Sequence, residues 1–362
     1  MTSQHELALQ RVVAQQLAPP RARTAREAVD ALGALQAQDL ESGLASVALR
    51  ASRGSRSAVR ALDDGDLVRS WPLRGTLHLV LATDLPWLIR LLAPRSIAAA
   101  RARARQLGID DALVARAADI AVGALTGTRG LVRASLYRRW HEAGVDTDGQ
   151  RGYHLLWQLA QRGVVCLGPL DGGRQQRIVL LDEWVTHPRQ LEGDEALAEL
   201  AVRYFRGHGP ATVRDLARWA GLTQTTARTA TELAGPTLGR TTIDGTEHLG
   251  DPAIADLLAA RRSAARGVLL LPGFDELILG YEDRSATVPA SVAPHIAPGS
   301  NGMFLPTILS DGQVVGTWRR SRRGPLPSIE TTMLAEVPPA VVAAITRAVA
   351  VRQEDVADPG DG

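Results

Sequence analysis

Three stretches of the chain repeat one pattern of apolar and polar positions: helices, a short turn, a further helix, then strand-forming runs. In the first, Thr24-Ala-Arg-Glu27 reads as a capping box that opens a helix. Ser42 starts a second helix through Val47 to Arg50, and a third covers about Ser57 to Leu62. The run from Leu67 to Val80 is rich in strand formers and is broken at Pro72 and Gly75. Asp84 is placed to cap the next helix, whose first turn tolerates Pro86. In the second stretch, Leu131 to Gly144 and Tyr153 to Arg162 predict helices ended by glycine. Val164–Leu167 and Arg177–Leu181 predict strands paired across Asp171-Gly-Gly173. The third stretch, from Ala211 to Arg228, has the grammar of a helix-turn-helix. Leu216 and Ala217 pack its first helix, Gly221 makes the turn and Thr223 caps its second helix. Two strands around Asp244-Gly245 follow, a type I′ hairpin signal.

A helix-turn-helix with a two-stranded wing is a winged helix, a module used both for DNA binding and for protein contacts. After residue 265 the pattern changes. Gly267 to Leu271 reads as a buried strand, followed by an acidic turn at Asp275-Glu276. Met303–Leu309 and Gln313–Trp318 predict a hairpin over Asp311-Gly312, and a helix from about Pro339 to Val351 closes the region. The predicted fold is α+β and mainly helical, with three tandem winged-helix units and a C-terminal β-rich element. The predicted boundaries are 1–94, 95–190, 191–264 and 265–352, with a disordered tail at 353–362.

Composition narrows the chemistry. All 41 basic residues are arginine. Without lysine there is no Walker A loop, no pyridoxal Schiff base and no lysine nucleophile. No G-x-G-x-x-G and no G-x-S-x-G occurs, so neither a nucleotide cofactor nor a serine-hydrolase elbow is expected. The eight histidines stand at no metal-ligand spacing, and the one cysteine, Cys166, lies in an apolar strand; no metal is expected. No apolar run approaches the ~18 residues of a membrane span, and the start lacks the apolar core of a signal peptide. The expectation is a cytoplasmic monomer with no membrane partner. Net charge is only +2, but its distribution is uneven. Between Leu85 and Ile109 there is no acid, yet Arg90, Arg95, Arg101, Arg103 and Arg105 occur; Trp318–Arg323 holds four arginines in six residues. Arg101 and Arg105 repel each other at i,i+4 on a helix, and a bound phosphate would relieve that. A solvated basic face is the alternative for either cluster.

The unusual feature is Leu35-Gln36-Ala37-Gln38-Asp39. In a helix, i and i+2 diverge by ~200° and the two carboxamides would face apart; in an extended link they share a face. Gly33 upstream and the Ser42 cap downstream favour the extended link, with Ala37 anchored in the core. On residue type alone the favoured reading is that the pair simply bonds a nearby backbone, since glutamines are common.

The stretches LQAQ at 35–38, RGTLHLV at 74–80, GPATVRDLARWAGL at 209–222, LLPGFDELILGYEDRS at 270–285 and NGMFLPTILSDGQVVGTWRR at 301–320 resemble the AlkZ-type DNA glycosylases of the YcaQ-like winged-helix superfamily. The resemblance implies a C-shaped arrangement of the three winged helices around double-stranded DNA carrying alkylated purines. It implies that Gln36 and Gln38 hold the catalytic positions, and a role in repair or self-resistance against the producer's own genotoxin. The YcaQ-like relatives tend to carry a carboxylate at the second position; here it is Gln38. Candidate DNA contacts are Arg74, His78 and Arg284 in the matching stretches, and Arg319, Arg320, Arg322 and Arg323 beside the hairpin; Arg74 and His78 read equally well as strand-exposed polar residues bonded within the first unit. Either the Asp311-Gly312 hairpin or the Asp244-Gly245 wing is expected to enter a groove. Asp275 and Glu276 are expected to bond backbone in their turn. The implied activity is monofunctional hydrolysis of the N-glycosidic bond of cationic N7-alkylguanine, of simple, bulky or crosslinked adducts, leaving an abasic site. The competing reading is a non-catalytic winged-helix DNA-binding regulator, in which both glutamines are structural.

Overall fold

The structure is a computed structural model and describes residues 3–173, 175–299, 302–321 and 328–357. It is 52% helical and 18% strand, which fits a mainly helical α+β chain. In the first stretch, Thr24 Oγ1 accepts the Glu27 N–H at 3.1 Å and opens the helix Ala25–Leu32, which Gly33 ends with φ 76°. The chain then runs extended through Leu35–Gln36 before the helix Leu40–Arg50. That helix is capped by Asp39, whose Oδ2 accepts the Ser42 N–H at 2.9 Å. Ser42 is therefore a first-turn residue, not the cap: Asp39 reaches the free N–H three residues ahead.

Leu67–Leu73 and Thr76–Leu81 form a hairpin through Arg74 and Gly75, both at positive φ. Leu35–Gln36 adds antiparallel to its outer edge, with Gln36 opposite His78. Arg69 opposite Leu167 joins the hairpin to Val165–Leu170, and Gln176–Leu180 and Leu131–Val132 complete one six-stranded antiparallel sheet. The strands expected as two separate wings are thus hydrogen-bonded together. Both meeting strands are buried along most of their length, and an unpaired edge there would strand backbone polar groups out of water. The helix Leu85–Gln106 runs through Pro94, so the boundary expected at 94/95 falls inside a helix. Its Asp84 cap makes no capping bond; the carboxylate instead accepts from Trp87 Nε1 and pairs with Arg189 and Arg203.

The third stretch follows its sequence signals closely. Thr212 and Asp215 form a reciprocal capping box on Val213–Ala220, Gly221 takes the left-handed conformation, and Thr223 caps Gln224–Ala234. Gly239–Ile243 and Thr246–Gly250 pair across Asp244 and Gly245 at φ 49° and 76°, as a type I′ turn requires. The preceding helix, Gly193–His208, crosses Ala25–Leu32 so closely that a Cβ on Gly207 would lie 2.3 Å from the Ala31 carbonyl.

Leu269–Leu271, Thr307–Ser310, Gln313–Ser321 and Ser328–Met333 make a four-stranded antiparallel sheet. The helix Pro339–Ala357 packs on it. Residues 353–357 are thus helical rather than part of a disordered tail, and 358–362 lie outside the described residues. The sequence pattern missed the helix Gln4–Ala14. Its Leu9, Val12 and Val13 share a core with Ile254, Leu258, Leu309 and Val314, so this helix belongs with the C-terminal region and not with the first unit. It also occupies the Asp311-Gly312 tip: Gly312 abuts Ala8 and Leu9, and Asp311 pairs with Arg266 and His5. That tip is not available to enter a DNA groove. Asp244 likewise accepts a bond from Gln4. Among the described residues no helix is long and apolar enough to cross a membrane.

Candidate active site

Gln36 ends the short edge strand, and Gln38 lies two residues on, in a bend beside it. The Oε1 of Gln36 accepts the Gln38 N–H at 3.3 Å, and Gln38 Oε1 faces the Leu77 N–H at 3.4 Å. Between them Ala37 is fully buried. Gln36 is 9% exposed, whereas Gln38 lies open to solvent. The chain is extended as far as Gln36 and bends at Gln38, so the extended link expected for the pair is present only in part.

The backbone of this segment is held at several points. Ala37 N–H bonds the Leu77 carbonyl at 2.8 Å. Arg69 spans the Ala37 carbonyl (Nε, 2.7 Å), the Gln38 carbonyl (Nη2, 2.9 Å) and Gln176 Oε1 (Nη1, 3.0 Å). Burial lowers the Arg69 pKa to about 10, against the attraction of Asp39, and the guanidinium stays charged. On the free edge of the strand, Glu276 Oε1 accepts the Gln36 N–H at 2.8 Å. Its other oxygen faces Trp219 Nε1 at 3.2 Å and His208 Nε2 at 3.4 Å. Burial opposes ionisation of Glu276, but His208, His78 and the Gln36 amide outweigh it and hold the carboxyl at about 2. Sequence reasoning missed both clamps. The available signal for Arg69 was a lone charge between Val68 and Trp71 in a strand-forming run. Glu276 bonds backbone as expected, but that of Gln36 rather than of its own turn. Asp275 does cap its own turn, accepting the Leu277 N–H, and also pairs with Arg50.

The expected DNA contacts separate. His78 is fully buried, so the expectation of a direct phosphate contact is corrected: it lies across the ladder from Gln36, underneath the site. Its Nδ1 lies 2.8 Å from the Thr76 carbonyl, while its Nε2 is buried without a partner. Burial, with Arg74 nearby, lowers its pKa to about 4, so the ring is neutral. Arg74 is exposed at the hairpin turn and donates to the carbonyls of Arg218 and Trp219. Arg284 is half-buried, donates to the Ile278 carbonyl at 2.7 Å and lies over the Phe304 ring. Burial lowers its pKa, and the charges of Arg218 and Arg74 lower it further. Arg319 and Arg320 are exposed and pair with Glu330 and Glu41. They line a cavity of about 200 Å³ together with Asp39 and Ser42, alongside the glutamine segment. Arg322 and Arg323 lie outside the described residues.

From Arg74 an open groove of about 540 Å³ runs between the helix Leu85–Gln106 and the helix-turn-helix. Arg74, Arg95, Arg103 and Arg218 line it with Tyr153 and Trp157, and no carboxylate is among its described lining residues. Such a surface suits a polyanion. The basic run read from the sequence is divided here: Arg95 and Arg103 face the groove, while Arg90 turns to Glu192. Among the described residues no cluster of histidine, cysteine and carboxylates fit for a metal occurs.

A family model described as DNA glycosylase AlkZ-like matches residues 29–355. An interstrand DNA cross-link repair glycosylase from Streptomyces sahachiroi is 28% identical over 317 residues, covering 85% of each chain. The solved structure of the Streptomyces sahachiroi DNA glycosylase AlkZ matches with a TM-score of 0.79 at 25% identity, covering 98% of this chain and 97% of that one.

Proposed function

Because the chain belongs to the AlkZ-like DNA glycosylase family, we propose that it is a monofunctional glycosylase that hydrolyses the N-glycosidic bond of cationic N7-alkylguanine in duplex DNA. The observation that carries this reading is the pair of neutral carboxamides, Gln36 and Gln38, two residues apart in a clamped segment, with Gln38 open to solvent. An amide has no usable pKa and cannot act as an ordinary general base. Its carbonyl can accept a hydrogen bond from a water, hold it against C1′ and stabilise the positive charge that develops on the sugar. That help is modest, and it suffices only where the leaving base is already good. Alkylation at N7 makes guanine a cation and weakens the bond before the protein acts. Gln36 and Gln38 share one nucleophilic water, and the abasic sugar is the product.

Strand cleavage by a bifunctional enzyme uses an amine to form a Schiff base. The sequence holds no lysine, so an abasic site left intact is the natural end point. The groove lined by Arg74, Arg95, Arg103 and Arg218 supports a track for the DNA backbone, with the helix–hairpin units arranged around the duplex. The substrates extend to bulky N7 adducts and to interstrand crosslinks, the repair of the latter being what the Streptomyces sahachiroi relative is named for, and the role is repair or self-resistance.

The test is a duplex carrying N7-methylguanine. Mass spectrometry of the supernatant should find free N7-methylguanine and leave a strand cut only on later alkali treatment. A uracil duplex should yield nothing, because neutral uracil is too poor a leaving group. Tight sequence-selective binding with no base released from a panel of N7 adducts would instead make the chain a regulator. Arg69→Ala bears on the geometry. With the fork gone, the Ala37 and Gln38 carbonyls lose their shared donor, and the single-turnover rate is expected to fall by roughly 10-fold or more, with duplex affinity kept.

A further inference from the structure

Glu276 does more than close a turn. Three donors converge on its two oxygens: the Gln36 backbone N–H, the Trp219 indole N–H and the His208 ring. They come from three different elements: the edge strand Leu35–Gln36, the helix Val213–Ala220 and the end of the helix Gly193–His208. The carboxylate is 1% exposed and touches no surface a duplex could reach. An ionised carboxylate is the one side chain that only accepts, and so can satisfy all three donors at once. A glutamine there would turn an N–H₂ toward either Gln36 or the Trp219 and His208 pair.

The position on the strand gives this contact its consequence. In the antiparallel ladder the Ala37 N–H points inward, to the Leu77 carbonyl. The Gln36 N–H therefore points outward, to the free edge, where Glu276 meets it. This bond fixes the strand at the residue whose carboxamide faces Gln38. We infer that Glu276 is a positioning residue: it locks the edge strand against the helix-turn-helix so that the two carboxamides stay aimed together. The inference rests on the glycosylase reading above. It adds a residue that acts only through Gln36.

The experiment compares full-length wild type, Glu276→Gln and Glu276→Asp in single-turnover release of N7-methylguanine, with duplex Kd and melting temperature measured on the same preparations. E276Q keeps the size of the side chain but not the acceptor pattern. E276D keeps both acceptors but ends one methylene short of Gln36. Both are expected to lose about 10–100-fold in rate while binding the duplex as wild type does, because the misplacement touches the chemistry and not the phosphate track. A folded E276Q that releases base at the wild-type rate overturns the inference. So does a rate that falls only in step with duplex affinity and the folded fraction, the signature of a merely structural residue. Where E276Q does not fold, E276D is judged by the same two criteria. Wild-type protein that releases no base overturns the glycosylase reading itself, an outcome distinct from active wild type with an indifferent Glu276.

Discussion

Gln38→Ala is expected to lower the single-turnover rate of N7-methylguanine release by about 10²–10³-fold, the usual loss when one preorganised polar group is removed from a charge-developing site. Duplex affinity and melting temperature should hardly move. Gln38 is exposed, and its side chain makes one long contact, to the Leu77 N–H at 3.4 Å; surface truncations of this kind are usually worth within about 0.5 kcal/mol. Gln36→Ala should lose a similar factor, with some added loss of order because its Oε1 also holds the Gln38 N–H. If the two carboxamides hold one water, they act as a unit and their effects do not multiply. The double variant should then be little slower than the worse single one. Separately placed groups would multiply, and the rate of the double variant measures which arrangement holds. A double variant as fast as wild type would show that neither glutamine is catalytic.

Where sequence signals were local, they were legible. The Thr223 cap, the left-handed Gly221 and the Asp244-Gly245 turn are each fixed by two to four adjacent residues, and each reads directly from the letters. The helix break around Gln36 and Gln38 was legible for the same reason: Gly33 ends one helix and a polar cap opens the next. Long-range partners left no comparable mark. That Arg69 meets Leu167 and fuses two hairpins into one sheet depends on a pairing across about a hundred residues, which no periodicity encodes. The helix Gln4–Ala14 buries polar Gln10 and Arg11 along with its leucines, so its polar letters do not mark a solvent face. Arg11 is tolerated inside because it stacks 3.8 Å above the Tyr281 ring and donates to the Pro210 carbonyl, both far along the chain. Glu276 was legible as an acid in a turn. Its partner in the site, 240 residues earlier, was not.

Asp275→Ala is expected to destabilise the fold more than any single change in the site, by about 3–5 kcal/mol. Asp275 and Arg50 are both fully buried and joined by two bonds, Nη1 to Oδ2 and Nη2 to Oδ1, each 2.8 Å. Ser46 Oγ adds a third bond to the carboxylate at 2.7 Å, and Gln15 Oε1 accepts from the same guanidinium at 2.7 Å. Alanine would leave the Arg50 charge inside the protein with no anion, and the desolvation penalty that the pair offset would then stand alone. It would also remove the cap of Glu276–Leu279, the turn that carries Glu276 to Gln36. Loss of the pair as a whole should be gentler. In Arg50→Leu with Asp275→Leu, no unpaired charge remains, so the double variant should melt above Asp275→Ala, a sign of strong coupling between neighbouring positions. Thermal melts and urea titrations of the full chain measure both. An Asp275→Ala protein that melts with wild type would mean that Arg50 finds water or another carboxylate. The helix Leu40–Arg50 would then not depend on the C-terminal region for its place beside the glutamines.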